Sequence, residues 1–227
     1  MKNLIRTMLV SVVLGTAFSC WGAMDFSGSA GNFSVGASPG ATISDYGSGT
    51  PGPAYSLSFD SAGYTSISTI SVTFTTTGGW NGDLYASLSH DGGQYAVLLN
   101  RVGASAVGDP GYGAAGFNNI TLAMSGVTDI HGVSAPTTGT YAADGRANYT
   151  SSTRANTLDV FSGVNPNGGW TLSFQDMSAL DVATLTSFSV NITAVPEPIN
   201  VALGVFGAVF AAVAVGRRLR TKAQGRA

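Results

Sequence analysis

Two histidines, eleven aspartates, one glutamate and one cysteine carry most of the reactive chemistry of this 227-residue chain. Nucleophilic catalysis needs a Ser or Thr beside a histidine base, and only His90 and His131 can serve. His90-Asp91-Gly92 reads as a hairpin turn in which Asp-Gly supplies the positive φ that tight turns require. Glycoside hydrolysis by paired carboxylates has little to work with, since the sole glutamate is Glu197, near the C-terminus. The aspartates suit a hard cation better: Asp83, Asp91, Asp109 and Asp176 fall at turns and strand ends, where calcium takes carboxylate and carbonyl oxygens. None lies in an Asp-x-Asp-x-Asp loop, and for Asp83 and Asp176 the preferred reading is acceptance of hydrogen bonds from turn amides. Ring stacking on a sugar is the other available chemistry. Trp80 and Trp170 each follow Gly-Gly, and alternation with Leu172 and Phe174 assigns Trp170 to the core. Trp80, Tyr112, Tyr141 and Tyr149 are therefore the candidate ligand-facing aromatics.

The elements that would position these groups are strands. Apolar residues alternate with period two at Ile70, Val72, Phe74; at Leu84, Ala86, Leu88; and at Ile120, Leu122, Met124. The same period recurs at Trp170, Leu172, Phe174 and at Phe188, Val190, Ile192. Gly-rich breaks separate the sets at 78–79, 91–93, 111–116 and 165–169. Many short strands with regular turn signals predict an all-β sandwich or closed barrel. Residues 24–54 are Gly/Ser-rich and read as a leader or an edge strand; 108–116 and 136–156 read as long surface loops.

Charge narrows the partners. Residues 24–195 hold eleven Asp against Arg101, Arg146 and Arg154, a net −8 with neither Lys nor Glu. Phosphate binding needs clustered cations, so nucleic acid is excluded as a partner. Divalent cations, neutral glycans or basic surfaces suit the field, although sparse acidity also simply keeps an exported protein soluble. The N-terminus has Lys2 and Arg6, then an apolar stretch over 8–18 and small residues, the pattern of a secretory signal peptide over 1–23. Cys20 also permits a lipoprotein reading, although Ala17 stands where a lipobox usually carries Leu. With cleavage near Ala23 the mature domain has no cysteine, hence no disulfide framework.

At the other end, Val195-Pro196-Glu197-Pro198 leads into an apolar run over 199–215 and then Arg217, Arg218, Arg220, Lys222 and Arg226. Seventeen helical residues span roughly 25 Å, slightly less than a ~30 Å hydrocarbon core. The basic end predicts a cytoplasmic C-terminus and export of everything before the helix. Hydropathy and charge alone fit an ordinary single-pass anchor. The order Pro-Glu-Pro, helix, Arg217-Arg218 resembles the PEP-CTERM sorting signal of bacteria that make extracellular polysaccharide. The resemblance implies an inner-membrane stage and cleavage near Pro196-Glu197-Pro198 by an exosortase-type membrane transpeptidase. The mature protein would then reach the cell surface or the exopolysaccharide matrix.

Two further segments carry a resemblance. Gly79-Trp80-Asn81-Gly82-Asp83-Leu84 runs on through Leu88-Ser89-His90-Asp91-Gly92 to Leu98-Leu99-Asn100-Arg101-Val102-Gly103. Asn167-Gly168-Gly169-Trp170-Thr171-Leu172 continues to Asp176 and an apolar last strand through Val190 and Ile192. Together they resemble the P domain (Homo B domain) of subtilisin-like proprotein convertases over roughly 55–193. In this chain His90-Asp91 replaces the family's Pro-containing turn, Phe188 stands where Trp is common, and no protease precedes the segment. The resemblance implies a jelly-roll β-sandwich and carries no activity. The expected division is a signal peptide (1–23), a leader or edge strand (24–54), a P-domain-like sandwich (55–194) and a sorting tail (195–227). The expected role is structural or adhesive, without catalysis and without a required cofactor. The alternatives are a glycan-binding module of the cell envelope and a plainly membrane-anchored periplasmic protein.

Overall fold

The structure is a computed structural model that describes residues 25–29, 31–45, 52–59, 64–136, 138–196 and helical residues within 206–214. The signal-peptide segment and Glu197, Pro198, Arg217 and Arg218 lie outside the described residues. Within 206–214, Phe206, Val209, Phe210 and Val213 are helical and exposed. Among the described residues no helix is long and apolar enough to cross a membrane.

Over residues 25–196 the described structure is all-β and sandwich-like. Among the described residues eleven strands run β1 (Asp25–Ser29), β2 (Asn32–Ala37), β3 (Ala41–Ile43), β4 (Ala54–Phe59), β5 (Tyr64–Gly78), β6 (Leu84–His90), β7 (Tyr95–Asn100), β8 (Ile120–Ala123), β9 (Gly139–Tyr141), β10 (Gly168–Asp176) and β11 (Ala183–Pro196). The larger sheet is ordered β1-β2-β11-β5-β8-β9, with β3 also on β11; the smaller is β4-β10-β6-β7. All pairings are antiparallel except β8 with β9.

Period-two alternation explains why these sheets meet. Ile70, Val72 and Phe74 of β5 and Val190 and Ile192 of β11 are buried on the inner face of the larger sheet. Leu84, Ala86 and Leu88 of β6 and Trp170, Leu172 and Phe174 of β10 are buried opposite them. Phe74 bridges the layers edge-on, its ring centroid 5.7 Å from Phe117 and 5.4 Å from Phe174. Trp170 sits in the core, packed against Phe59 and Phe161, with its indole N–H donated to the Pro166 carbonyl at 3.0 Å.

Residues 24–54 supply β1 to β3, and β2 and β3 both hydrogen-bond to β11. The β6–β7 turn is closed by His90 N–H to the Gln94 carbonyl (3.0 Å) and by Gly93 N–H to the His90 carbonyl (2.9 Å). The residue with positive φ in that turn is Gly93 (φ 91), one position later than the Asp-Gly reading places it. The turn is one residue longer than a two-residue hairpin loop, which moves the left-handed position toward β7.

Candidate functional site: an acidic group at one end of the sandwich

The alternation that builds the core overruns into carboxylates. On β10 the inward residues Trp170, Leu172 and Phe174 are followed at the same spacing by Asp176, which has no solvent exposure. On β3 buried Ile43 is followed two residues later by Asp45, which forms a parallel bridge with Asp176. Asp83 closes the short 3₁₀ turn Asn81–Asp83 that opens β6, and Leu84 faces Asp176 across the β6–β10 ladder. The main chain joins these pieces: Asp176 N–H donates to the Ser44 carbonyl (3.2 Å) and Met177 N–H to the Asp83 carbonyl (2.7 Å). Asp181 enters from the exposed turn between β10 and β11.

The polar groups here are poorly matched. Asp176 Oδ1 accepts one bond, from Ser178 N–H at 3.1 Å, while Oδ2 is buried with no partner. Asn81 is likewise without exposure; its amide nitrogen donates to the Gly116 carbonyl (3.0 Å) and its Oδ1 has no partner. The nearest cation is Arg101, with Nη2 3.9 Å from Asp83 Oδ1. That guanidinium also donates Nη2 to the Asp109 carbonyl (3.1 Å) and lies over the Tyr149 ring at 4.9 Å. Burial pushes the Asp176 carboxyl up to about 6, and Asp83, Asp45 and Asp181 push in the same direction. Burial also raises Asp83, against the lowering effect of Arg101.

A second buried carboxylate shows what a matched site looks like. Asp144 accepts from His131 Nδ1 (2.7 Å) and Asn100 N–H (3.3 Å) on Oδ2, and from Arg146 Nη1 and N–H (both 3.2 Å) on Oδ1. Arg146 reaches on to Asp129 Oδ2 at 2.7 Å, and Arg154 Nε lies 3.4 Å from the same oxygen. His131 Nε2 faces the Ala104 carbonyl at 3.0 Å. Both ring nitrogens therefore face acceptors, which only an imidazolium satisfies. The Asp144 bond raises the His131 pKa first; burial and Arg146 oppose it, and the Ala104 bond adds to it.

His90 is spent differently. Its Nδ1 accepts from Gly92 N–H (3.2 Å), so Nε2 carries the proton and donates to the Asn167 carbonyl (3.0 Å), while the ring packs 4.5 Å from Trp170. One spacing that a reading from the histidines passes over is Gly36-Ala37-Ser38-Pro39-Gly40, which has the Gly-x-Ser-x-Gly form. It joins β2 to β3, strand to strand, whereas a nucleophile elbow joins strand to helix.

Of the four sequence-predicted metal ligands, the fold brings Asp83 and Asp176 together. Asp91 lies at the opposite end of β6, where Oδ2 accepts Gly169 N–H at 2.8 Å. Asp109 folds its own turn, with Oδ2 on Ser105 N–H (2.8 Å) and Oγ (2.9 Å) and Oδ1 on Gly111 N–H (3.0 Å). Those bonds hold its carboxyl below the ordinary range. Asp45, Asp181 and Asn81 were not predicted; the signal for Asp45 and Asp176 is an inward-facing strand register that ends on a carboxylate. Among the described residues no group of three or more His, Cys, Asp or Glu side chains is placed to hold a metal ion.

The aromatics divide by packing. Trp80 is 41% exposed, beside Gly113. Tyr112 is half-buried against Gly103, with its hydroxyl directed to the Gly132 carbonyl (3.4 Å). Tyr141 packs on the core from β9, and Tyr149 is the half-buried lid on Arg101. Val195 and Pro196 end β11, opposite Ser66 and Tyr64 of β5.

Neither a protein-family model nor a curated protein matches this chain. The solved structures similar to it include two of the serine protease of Aeromonas sobria, one in complex with a chaperone. Their TM-scores are 0.42 for the complex and 0.41 for the protease, at 14% and 11% identity over 72% and 71% of this chain. The chain spans 26% of the length of each.

Proposed function

We propose that this protein is an exported, non-catalytic β-sandwich of the P-domain-like jelly-roll type, sorted through a PEP-CTERM signal. Its role is structural or adhesive, at the cell surface or in the exopolysaccharide matrix. The observation that carries this reading is the position of the sorting motif. Strand β11 ends at Pro196, so the remainder of Pro-Glu-Pro follows the last described strand of the larger sheet in sequence. A transpeptidase cutting near Pro196-Glu197-Pro198 would release the sandwich with its strands intact. The histidines add support, since the nitrogens of both are engaged in holding loops and turns.

The reading is tested by the intact mass and cell fraction of the native protein beside a P196A/E197A/P198A variant. Loss of the tail and release from the inner membrane are expected, both abolished in the variant. A retained tail in the inner membrane, unchanged by the variant, would instead make the protein a plain anchor. Exposed Trp80 keeps a glycan-binding role in view, and Trp80→Ala should then abolish retention on the host polysaccharide.

A further inference from the structure

We propose that the acidic end of the sandwich is a calcium site, with Asp176 and Asp83 as its charged ligands and Asn81 as a neutral oxygen ligand. The starting point is an imbalance that folding alone does not explain. Among the described residues two carboxylates are buried without any exposure, Asp144 and Asp176. Asp144 has two cationic partners and bonds on both oxygens. Asp176 has one amide bond and an unpartnered Oδ2. Removing a charged oxygen from water without a partner is costly, and a cation offsets that cost most directly.

The surroundings select the kind of cation. Asp45 bridges Asp176 through the main chain and the Asp83 carbonyl accepts Met177 N–H. The one arginine at hand, Arg101, stands 3.9 Å from Asp83 and is shared with the Gly82 and Asp109 carbonyls and a ring. Asn81 belongs to the same short turn as Asp83 and has a buried, unpartnered amide oxygen. The available donors are oxygens on strand ends and a turn, with no imidazole or thiolate among them. Calcium accepts such an irregular all-oxygen set, with carbonyls and waters completing six to eight ligands. Magnesium demands near-ideal octahedral geometry and fits less well.

The test is the thermal midpoint of the full chain in millimolar calcium against a calcium chelator, with magnesium as a parallel arm. Calcium is expected to raise the midpoint by several degrees, as saturating binding to the native state alone requires, and magnesium by less. Asp176→Asn should abolish the calcium response. In chelator this variant should melt at or above the wild type, because the amide removes a buried charge while keeping its shape. Asp109→Asn, a carboxylate bound up in its own turn, should keep the full response. Equal wild-type midpoints with calcium and chelator would overturn the site, as would a response that survives in Asp176→Asn. The outcome is independent of tail processing, since a bound cation and a cleaved tail are read by different measurements.

Discussion

At His131 the folded chain holds a proton more tightly than the unfolded chain does. The ring faces Asp144 and the Ala104 carbonyl, with Arg146 and Asp129 completing the charged surroundings. Because folding raises this pKa, the stabilisation is complete below the ordinary value of about 6.5 and declines as pH rises through the higher folded value. Urea midpoints of the wild type should therefore fall as pH rises above about 6.5, while His131→Ala should lack that decline. At pH 6 the same substitution should cost about 2 kcal/mol, the value of a hydrogen bond to a charged partner. A variant that keeps the wild-type slope would assign the pH dependence elsewhere. None of this network is visible from spacing, because Asp129, His131, Asp144, Arg146 and Arg154 meet only after the chain between β8 and the 3₁₀ turn Leu158–Phe161 has folded back on itself.

Among the elements, strands were the legible part of the sequence and loops were not. Alternation at 70–74, 84–88, 170–174 and 188–192 identified inward faces that the structure buries, because period two needs only local information. The loop over 108–116 read as a surface excursion, yet it is stitched to the Asn81–Asp83 turn. Asn81 N–H donates to Ala114 and Gly82 N–H to Tyr112, while Tyr112 N–H returns to Val102. Glycine permits this seam. At Gly111, φ is +70 and a Cβ would stand 2.5 Å from the Val102 carbonyl. Gly111→Ala should cost more than about 1 kcal/mol in urea unfolding, through strain and overlap together. Gly93→Ala is the matched comparison, with φ +91 but open space around the added methyl, and should cost less. Equal losses would mean that strain alone accounts for both. In the core, Phe74→Ala removes the ring that joins the two sheets and should cost about 3–5 kcal/mol.

Across the whole molecule, all three arginines of the domain are committed internally: Arg101 to Asp83, Arg146 to Asp129 and Asp144, Arg154 to Asp129. The remaining aspartates leave the domain with a net negative balance. The larger sheet adds a mechanical consequence. β11 is flanked by β5 along its length and by β2 and β3 on its other side. A force applied at Pro196 along the strand axis would load the rungs on both flanks in shear, all at once. An edge strand in the same position would peel away one rung at a time. Whatever holds the chain beyond Pro196 therefore pulls on a strand clamped from both sides.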